Sequence, residues 1–303
     1  MAAASRLKLL SFRREAAAKK EDIRKVMRQI YLIPNMITAF ALSCGLFVIF
    51  KVNMVEAGPG LFGVLNVCAL LLLVSAFADL LDGAVARAIR AESEFGMVFD
   101  SLADAVSFGV APSVLLLKSL SLEPGSGLSF YAMLGCMLYS LCGVLRLVRY
   151  NVKKKEAKGD TDLLTEQKKH FTGLPIPAAA LAAVSVNLLF SSPLFEMLFT
   201  CSLETKAITL SSVMILLGYF MVSRWKFPSA KALHVRLPSF LLVFLTVILA
   251  IFIIYGVLYF LPQMLFIVTW GYILVAWVLS LIRLIAGKKS RTLEDYEPDQ
   301  EDE

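Results

Sequence analysis

Asp79-Leu80-Leu81-Asp82-Gly83-Ala84-Val85-Ala86-Arg87, separated by eight residues from Gly96-Met97-Val98-Phe99-Asp100-Ser101-Leu102-Ala103-Asp104, places four carboxylates in two apolar segments. Each segment is long enough to cross a bilayer. A carboxylate at that depth costs at least ~2.5 kcal/mol on insertion scales. Four converging acids also repel one another, so something positive must offset them. Hard divalent cations held by oxygen ligands meet that need. The stretch reads as a metal-dependent centre near one membrane face.

The rest of the chain agrees. Of 303 residues, 58% are hydrophobic, and the mean hydropathy is +0.73. That excludes an ordinary soluble domain. Long apolar runs predict eight transmembrane helices, at about 33–51, 60–82, 95–118, 128–150, 174–192, 206–222, 237–259 and 262–285. The sixth is the shortest. Little more than Leu261-Pro262 separates the last two, which predicts a tight helical hairpin. The expected fold is an all-α polytopic bundle, with one transmembrane catalytic domain over residues 31–286.

Charge sets the expected orientation. Nine Lys/Arg lie within residues 1–30. Loops 83–94, 151–173 and 223–236 are also basic, with Lys153, Lys154, Lys155, Arg224, Lys226, Lys231 and Arg236. Lys288, Lys289 and Arg291 follow the last span, while loops 52–59, 119–127 and 193–205 hold few cations. The positive-inside rule then puts both termini and the acidic site on the cytoplasmic side. Basic loops beside anionic headgroups account for the net charge of +6, with no nucleic-acid partner required.

Residues 1–30 read as a basic juxtamembrane segment. Within it Ile23, Val26, Met27 and Ile30 recur at helical spacing, which predicts an amphipathic helix on the membrane surface. Residues 287–303 run from basic to acidic and read as a disordered solubilising tail. The polar N-terminus does not read as a signal peptide. Cys44, Cys68, Cys136, Cys142 and Cys201 are scattered and read as core residues.

Helical periodicity builds the site. Asp79, Asp82 and Ala86 fall at i, i+3 and i+7, and Gly96, Asp100 and Asp104 at i, i+4 and i+8, each on one helix face. A turn over 88–94 makes the two helices antiparallel, so the acidic faces can meet. Gly83, Ala86 and Gly96 leave room for a bulky ligand. Arg87 adds a positive charge suited to a phosphate or carboxylate. Neither His170 nor His234 fits a histidine metal site or nucleophile, so oxygen ligands and Mg²⁺ or Mn²⁺ are favoured. His170-Phe171-Thr172-Gly173-Leu174-Pro175-Ile176-Pro177 opens the fifth span with two prolines. It reads either as a structural helix start or as a substrate gate.

The pattern D-x-x-D-G-x-x-A-R, then G-x-x-x-D-x-x-x-D, resembles the signature of the CDP-alcohol phosphatidyltransferases. All eight positions are present: Asp79, Asp82, Gly83, Ala86, Arg87, Gly96, Asp100 and Asp104. Flanking segments resemble the phosphatidylserine synthase branch of that family. They are Leu32–Thr38, Asp100–Pro112, Arg146–Asn151, Phe171–Pro177 and Met221–Pro228. The likeness spans about residues 30–230.

The resemblance implies transfer of a phosphatidyl group from CDP-diacylglycerol to L-serine, releasing CMP. It implies two divalent ions, Mg²⁺ or Mn²⁺, held by Asp79, Asp82, Asp100 and Asp104, with Asp104 also the general base. Gly83, Ala86, Arg87 and Gly96 would line the CMP pocket, with Asn35 and Thr38 facing it from the first span. Arg146 and Arg149 are candidates for the serine carboxylate or lipid phosphate, or are snorkelling arginines that set topology. A homodimer is also implied, and the expected setting is a bacterial inner membrane, with an endoplasmic reticulum membrane of similar topology as the alternative. Rival readings are a sister enzyme using glycerol 3-phosphate, inositol or choline, a cation-coupled transporter, and an inactive scaffold.

Overall fold

A computed structural model describes residues 32–55, 58, 60–89, 93–156, 171–199, 201–223, 226–227 and 254–286. The helices are α1 (Leu32–Asn53), α2 (Leu61–Ala88), α3 (Glu94–Asp104), α4 (Ala111–Leu120), α5 (Gly127–Glu156), α6 (Ile176–Phe190), α7 (Pro193–Leu198), α8 (Leu203–Val222) and α9 (Leu261–Ala286). A π-helical turn, Ala105–Val110, joins α3 to α4. Phe171–Thr172 (β1) and Lys226–Phe227 (β2) form a two-residue antiparallel pair. The chain is an all-α polytopic membrane protein. Among the described residues, six helical stretches are long and apolar enough to cross a bilayer, the third running from Glu94 to Leu120.

Six of the eight predicted spans therefore have a matching long helix, and α6 is the shorter fifth. Of the seventh, only helical residues 254–259 are described. The basic segment 1–30, the tail 287–303, His170 and His234 lie outside the described residues. The expected hairpin involves residues 237–253, which lie outside the described residues, but the chain bends between residues 256 and 264. Gly256 lies against the Met264 side chain, although a straight helix would separate residues eight apart by about 12 Å.

One expectation is reversed. The sixth span is not the shortest: α8 has 20 residues, whereas α6 has 15. Prolines cause the difference. Pro175 caps α6 and Pro177 sits in its first turn, so the helix cannot begin earlier. Ser192 then caps α7, whose first residue is Pro193, and this stops α6 early. The α8 helix gains a turn because the Ser202 hydroxyl accepts from the Thr205 amide.

Helix α6 is the central post. Ala179, Ala180, Ala182 and Ala183 are buried, and α2, α4, α8, α9 and the π turn all pack on it. Small side chains let the surrounding backbones approach, which supplies dispersion energy where lipid supplies little hydrophobic drive. The α5–α8 pair is the most extensive. A Cβ on Gly135 would lie 2.9 Å from the Ser211 carbonyl oxygen, and one on Gly218 would lie 3.4 Å from Cα of Tyr139. Serines add polar links: the Ser75 hydroxyl donates to the Ala41 carbonyl at 2.9 Å, joining α2 to α1. Cys44, Cys68 and Cys136 are buried as expected, Cys142 is half-buried, and Cys201 is exposed.

The Phe171–Pro177 segment is anchored to the end of α8. The Leu174 amide donates to the Phe220 carbonyl at 3.0 Å, and Gly173 (φ 83°) passes so close to the Met221 carbonyl that no Cβ would fit. The Arg149 Nη1 donates to the Val222 carbonyl at 3.0 Å. The last carbonyls of a helix have no partner within it, and these donors supply one. Of the two readings of this segment, its contacts favour the structural one.

Gly135→Leu should separate α5 from α8 and destabilise the protein by about 1–3 kcal/mol. Thermal unfolding in detergent checks this against Gly63→Leu, because no atom lies within 4 Å of a Cβ at Gly63. An unchanged melting temperature for Gly135→Leu would contradict the close packing.

Candidate active site

The acidic site is built where the end of α2 meets the start of α3, against the beginning of α1. Helix α2 continues to Ala88, so Asp79, Asp82, Gly83, Ala86 and Arg87 are all helical. Helix α3 starts at Glu94, where the Ser93 hydroxyl accepts from the Gly96 amide at 2.9 Å. That cap fixes the first turn of the helix carrying Asp100 and Asp104.

Carboxylate oxygens of Asp79, Asp82 and Asp100 lie within 4.8 Å of one another. Asp79 is also within hydrogen-bonding reach of Asp100 and Asp104. All four predicted acids therefore converge. At ~5 Å and an effective dielectric of ~20, each pair of ionised carboxylates repels by about 3 kcal/mol. Such a cluster holds together only with shared protons or a bound cation. The donor set is all oxygen, which fits a hard divalent ion such as Mg²⁺ or Mn²⁺.

Helix α1 supplies two polar side chains. The Thr38 hydroxyl donates to Asp82 Oδ2 at 2.6 Å and lies 3.1 Å from the Pro34 carbonyl. Asp82 is buried at 4% exposure, so this bond orients one carboxylate oxygen and leaves the other. The Asn35 side chain faces Gly96: a Cβ there would lie 3.0 Å from Asn35 Oδ1 and 3.0 Å from the capping Ser93 oxygen. Gly96 thus gives room to both the helix cap and the α1 contact.

Arg87 folds back along its own helix, with Nη1 3.4 Å from a Cβ placed on Gly83. Its charge acts on Asp82. Ala86 is half-buried one residue before it. The two arginines of α5 diverge. Of the charges acting on Arg146, that of Asp104 is the strongest, followed by those of Tyr150, Arg149 and Tyr272, and its buried Nε has no hydrogen-bond partner among the described residues. Arg149 instead reaches the end of α8 through its Nη1.

Three neighbours were missed in the sequence. Tyr272 comes from α9, too distant in the chain for any local pattern. The Asn151 amide donates to the Ser101 hydroxyl at 2.8 Å, tying the end of α5 to the residue after Asp100. Both residues fall in segments that carry the resemblance, which was the available signal. The Tyr139 hydroxyl bonds the π turn beyond Asp104.

Residues 31–208 match the family model of the CDP-alcohol phosphatidyltransferases. That match runs from the start of α1 into α8 and contains the whole acidic cluster. The chain is 31% identical over 243 residues to a CDP-diacylglycerol–serine O-phosphatidyltransferase of Helicobacter pylori, covering 76% of this chain and 91% of that one. It is 32% identical over 199 residues to the protein of that name in Bacillus subtilis, covering 66% of this chain and 91% of that one. An archaetidylserine synthase of Methanothermobacter thermautotrophicus is 40% identical over 128 residues, 42% of this chain and 48% of its own length.

Thr38→Val keeps the side-chain shape but removes the donor to Asp82. Divalent-ion affinity should fall about tenfold, as outer hydrogen-bond partners of metal ligands generally show. Titrating Mn²⁺ against the melting temperature of native and variant protein checks this. Equal midpoints would separate Thr38 from the acidic site.

Proposed function

Because this chain belongs to the CDP-alcohol phosphatidyltransferase family, we propose that it transfers the phosphatidyl group of CDP-diacylglycerol to L-serine, giving phosphatidylserine and CMP. The observation that carries the reading is the convergence of Asp79, Asp82 and Asp100, with Asp104 beside Asp79, at the junction of α2 and α3. The names of the relatives in Helicobacter and Bacillus support serine as the acceptor.

Asp79, Asp82, Asp100 and Asp104 would hold two divalent ions, Mg²⁺ or Mn²⁺. Bound there, the ions would neutralise the diphosphate and the charge growing on departing CMP. The protein's part is binding and orientation. Gly83 and Gly96 make room for Arg87, Asn35 and the Ser93 cap beside the nucleotide, Ala86 adds little bulk to the same face, and Arg87 offers its guanidinium to a phosphate oxygen. Asn35 and Thr38 close the pocket from α1.

Asp104 takes the proton of the serine hydroxyl as that oxygen attacks the phosphorus joined to CMP. The P–O bond to CMP breaks, and its electron pair leaves with CMP. No covalent intermediate with the protein is needed. Arg146 binds the serine carboxylate: its Nε is an unused donor, and its charge lies next to Asp104. The Arg149 bond to Val222 makes it the lesser candidate for that role.

The basic loops support a cytoplasmic site, where CMP and serine are soluble, in a bacterial inner membrane. Homodimerisation rests on the family resemblance.

The test offers labelled serine, glycerol 3-phosphate, inositol and choline separately to purified protein with CDP-diacylglycerol and Mn²⁺. Labelled phosphatidylserine is expected, and Asp104→Asn should abolish it by at least ~10²-fold. A different labelled lipid would overturn the acceptor assignment and keep the family. A second prediction concerns Arg146→Ala. It should raise KM for serine at least tenfold while CDP-diacylglycerol binding stays unchanged, whereas Arg149→Ala should lower stability instead. The reverse pattern would exchange their roles.

A further inference from the structure

We propose that Tyr139, which touches none of the four acids, is a positioning residue for them: its hydroxyl holds the π turn that aims Asp100 and Asp104. The inference rests on the reading of the acidic cluster as a divalent-cation site. It concerns a residue that no motif in the sequence marks.

The argument starts from helix geometry. Asp104 is the last residue of α3, and the π turn begins at Ala105. A π turn adds one residue to the hydrogen-bond ladder, so whatever follows is rotated by roughly 100° relative to an unbroken α-helix. Beyond the turn, α4 is locked in the core: Ala111, Pro112, Leu115, Leu116 and Leu120 are buried. Since α4 cannot rotate, the turn decides which way α3 faces. The direction of Asp100 and Asp104 therefore depends on the turn persisting.

The turn is held from two sides. On the α1 side, Gly45 lets Ser107 come closer than any Cβ would allow, and the Ser107 hydroxyl donates to the Ala41 carbonyl at 3.4 Å. On the α5 side, the Tyr139 hydroxyl donates to the Phe108 carbonyl at 2.9 Å. The Ser140 hydroxyl donates to the Gly109 carbonyl at 2.8 Å. These donors are needed because the ladder is short of them: Pro112, at the exit of the turn, has no N–H to give.

Tyr139 is wholly buried, and phenylalanine would pack the same space without a polar atom to satisfy. The hydroxyl is thus placed for the Phe108 bond. Without it, the Phe108 carbonyl is left unpaired in the core. An α-helical register offers no replacement donor, because the residue four beyond Phe108 is Pro112, so the turn loosens on that side and α3 rotates, which turns Asp100 and Asp104 away from Asp79 and Asp82.

The test measures Mn²⁺ binding to the full chain in lipid nanodiscs, from loss of the free-ion electron paramagnetic resonance signal. Tyr139→Phe should weaken binding about tenfold, and Ser140→Ala should weaken it by a smaller factor. Tyr131→Phe removes a hydroxyl from the same helix, where it meets Ser212 instead, and should leave binding unchanged. If Tyr139→Phe does not fold, Ser140→Ala carries the test with the same sign. A lowered melting temperature with unchanged Mn²⁺ affinity in both variants would overturn the inference, since the hydroxyls would then serve stability alone. Native protein that binds no Mn²⁺ sensitive to Asp100→Asn would overturn the metal reading, and this inference with it.

Discussion

Repulsion among four closely spaced carboxylates is the constraint around which the rest of this molecule is arranged. The acids on α2 and α3 would drive an unsupported helix pair apart. Each structural device near them resists that outcome. The Ser93 cap fixes the first turn of α3, the helix that carries Asp100 and Asp104. Thr38 fixes one oxygen of the most deeply buried acid from a third helix. The π turn sets the rotation of α3 against a core-locked α4. Arg87 and Arg146 add positive charge at the two ends of the cluster, near Asp82 and Asp104.

Holding charged groups this close needs a stiff frame, and the frame is made of small residues. The alanines of α6 and the glycines of the α5–α8 contact bring backbones together where a larger side chain would hold them apart. Hydroxyls then bridge the helices at points where a main-chain carbonyl is available, as Ser75 does for Ala41 and Tyr139 does for Phe108. The same carbonyl-capping logic ends α8, where Leu174 and Arg149 supply donors from two separate segments.

What could be read from the sequence follows from distance along the chain. The acidic stripes and the glycines between them obey local periodicity, and spacing puts the helix ends near Arg87 and Phe95, one residue from Ala88 and Glu94 where they lie. Asn35 and Thr38 were placed by resemblance, and the structure brings both to the cluster. The π turn was not foreseen. Its signals are Gly109 and Pro112, which also occur in ordinary membrane helices. Arg146 and Arg149 looked equivalent at i and i+3, and only the location of the α8 terminus separates them. Tyr139 and Tyr272 were invisible because their partners lie in other helices. Helix lengths were misjudged where prolines, and not hydropathy, set the boundaries: hydropathy continues through Pro175 and Pro177, but the hydrogen-bond ladder does not.

The brevity of α6 bears on how the protein meets membranes of different thickness. Fifteen residues rise about 22 Å, well short of a hydrocarbon core of about 30 Å. A lipid-facing helix of that length would force the bilayer to thin around it. Helix α6 escapes the penalty because its neighbours, not acyl chains, surround it. The mechanical centre of the molecule is therefore uncoupled from the width of its solvent. Thicker or thinner bilayers can be met by tilting the longer outer helices, with the inner post unstrained.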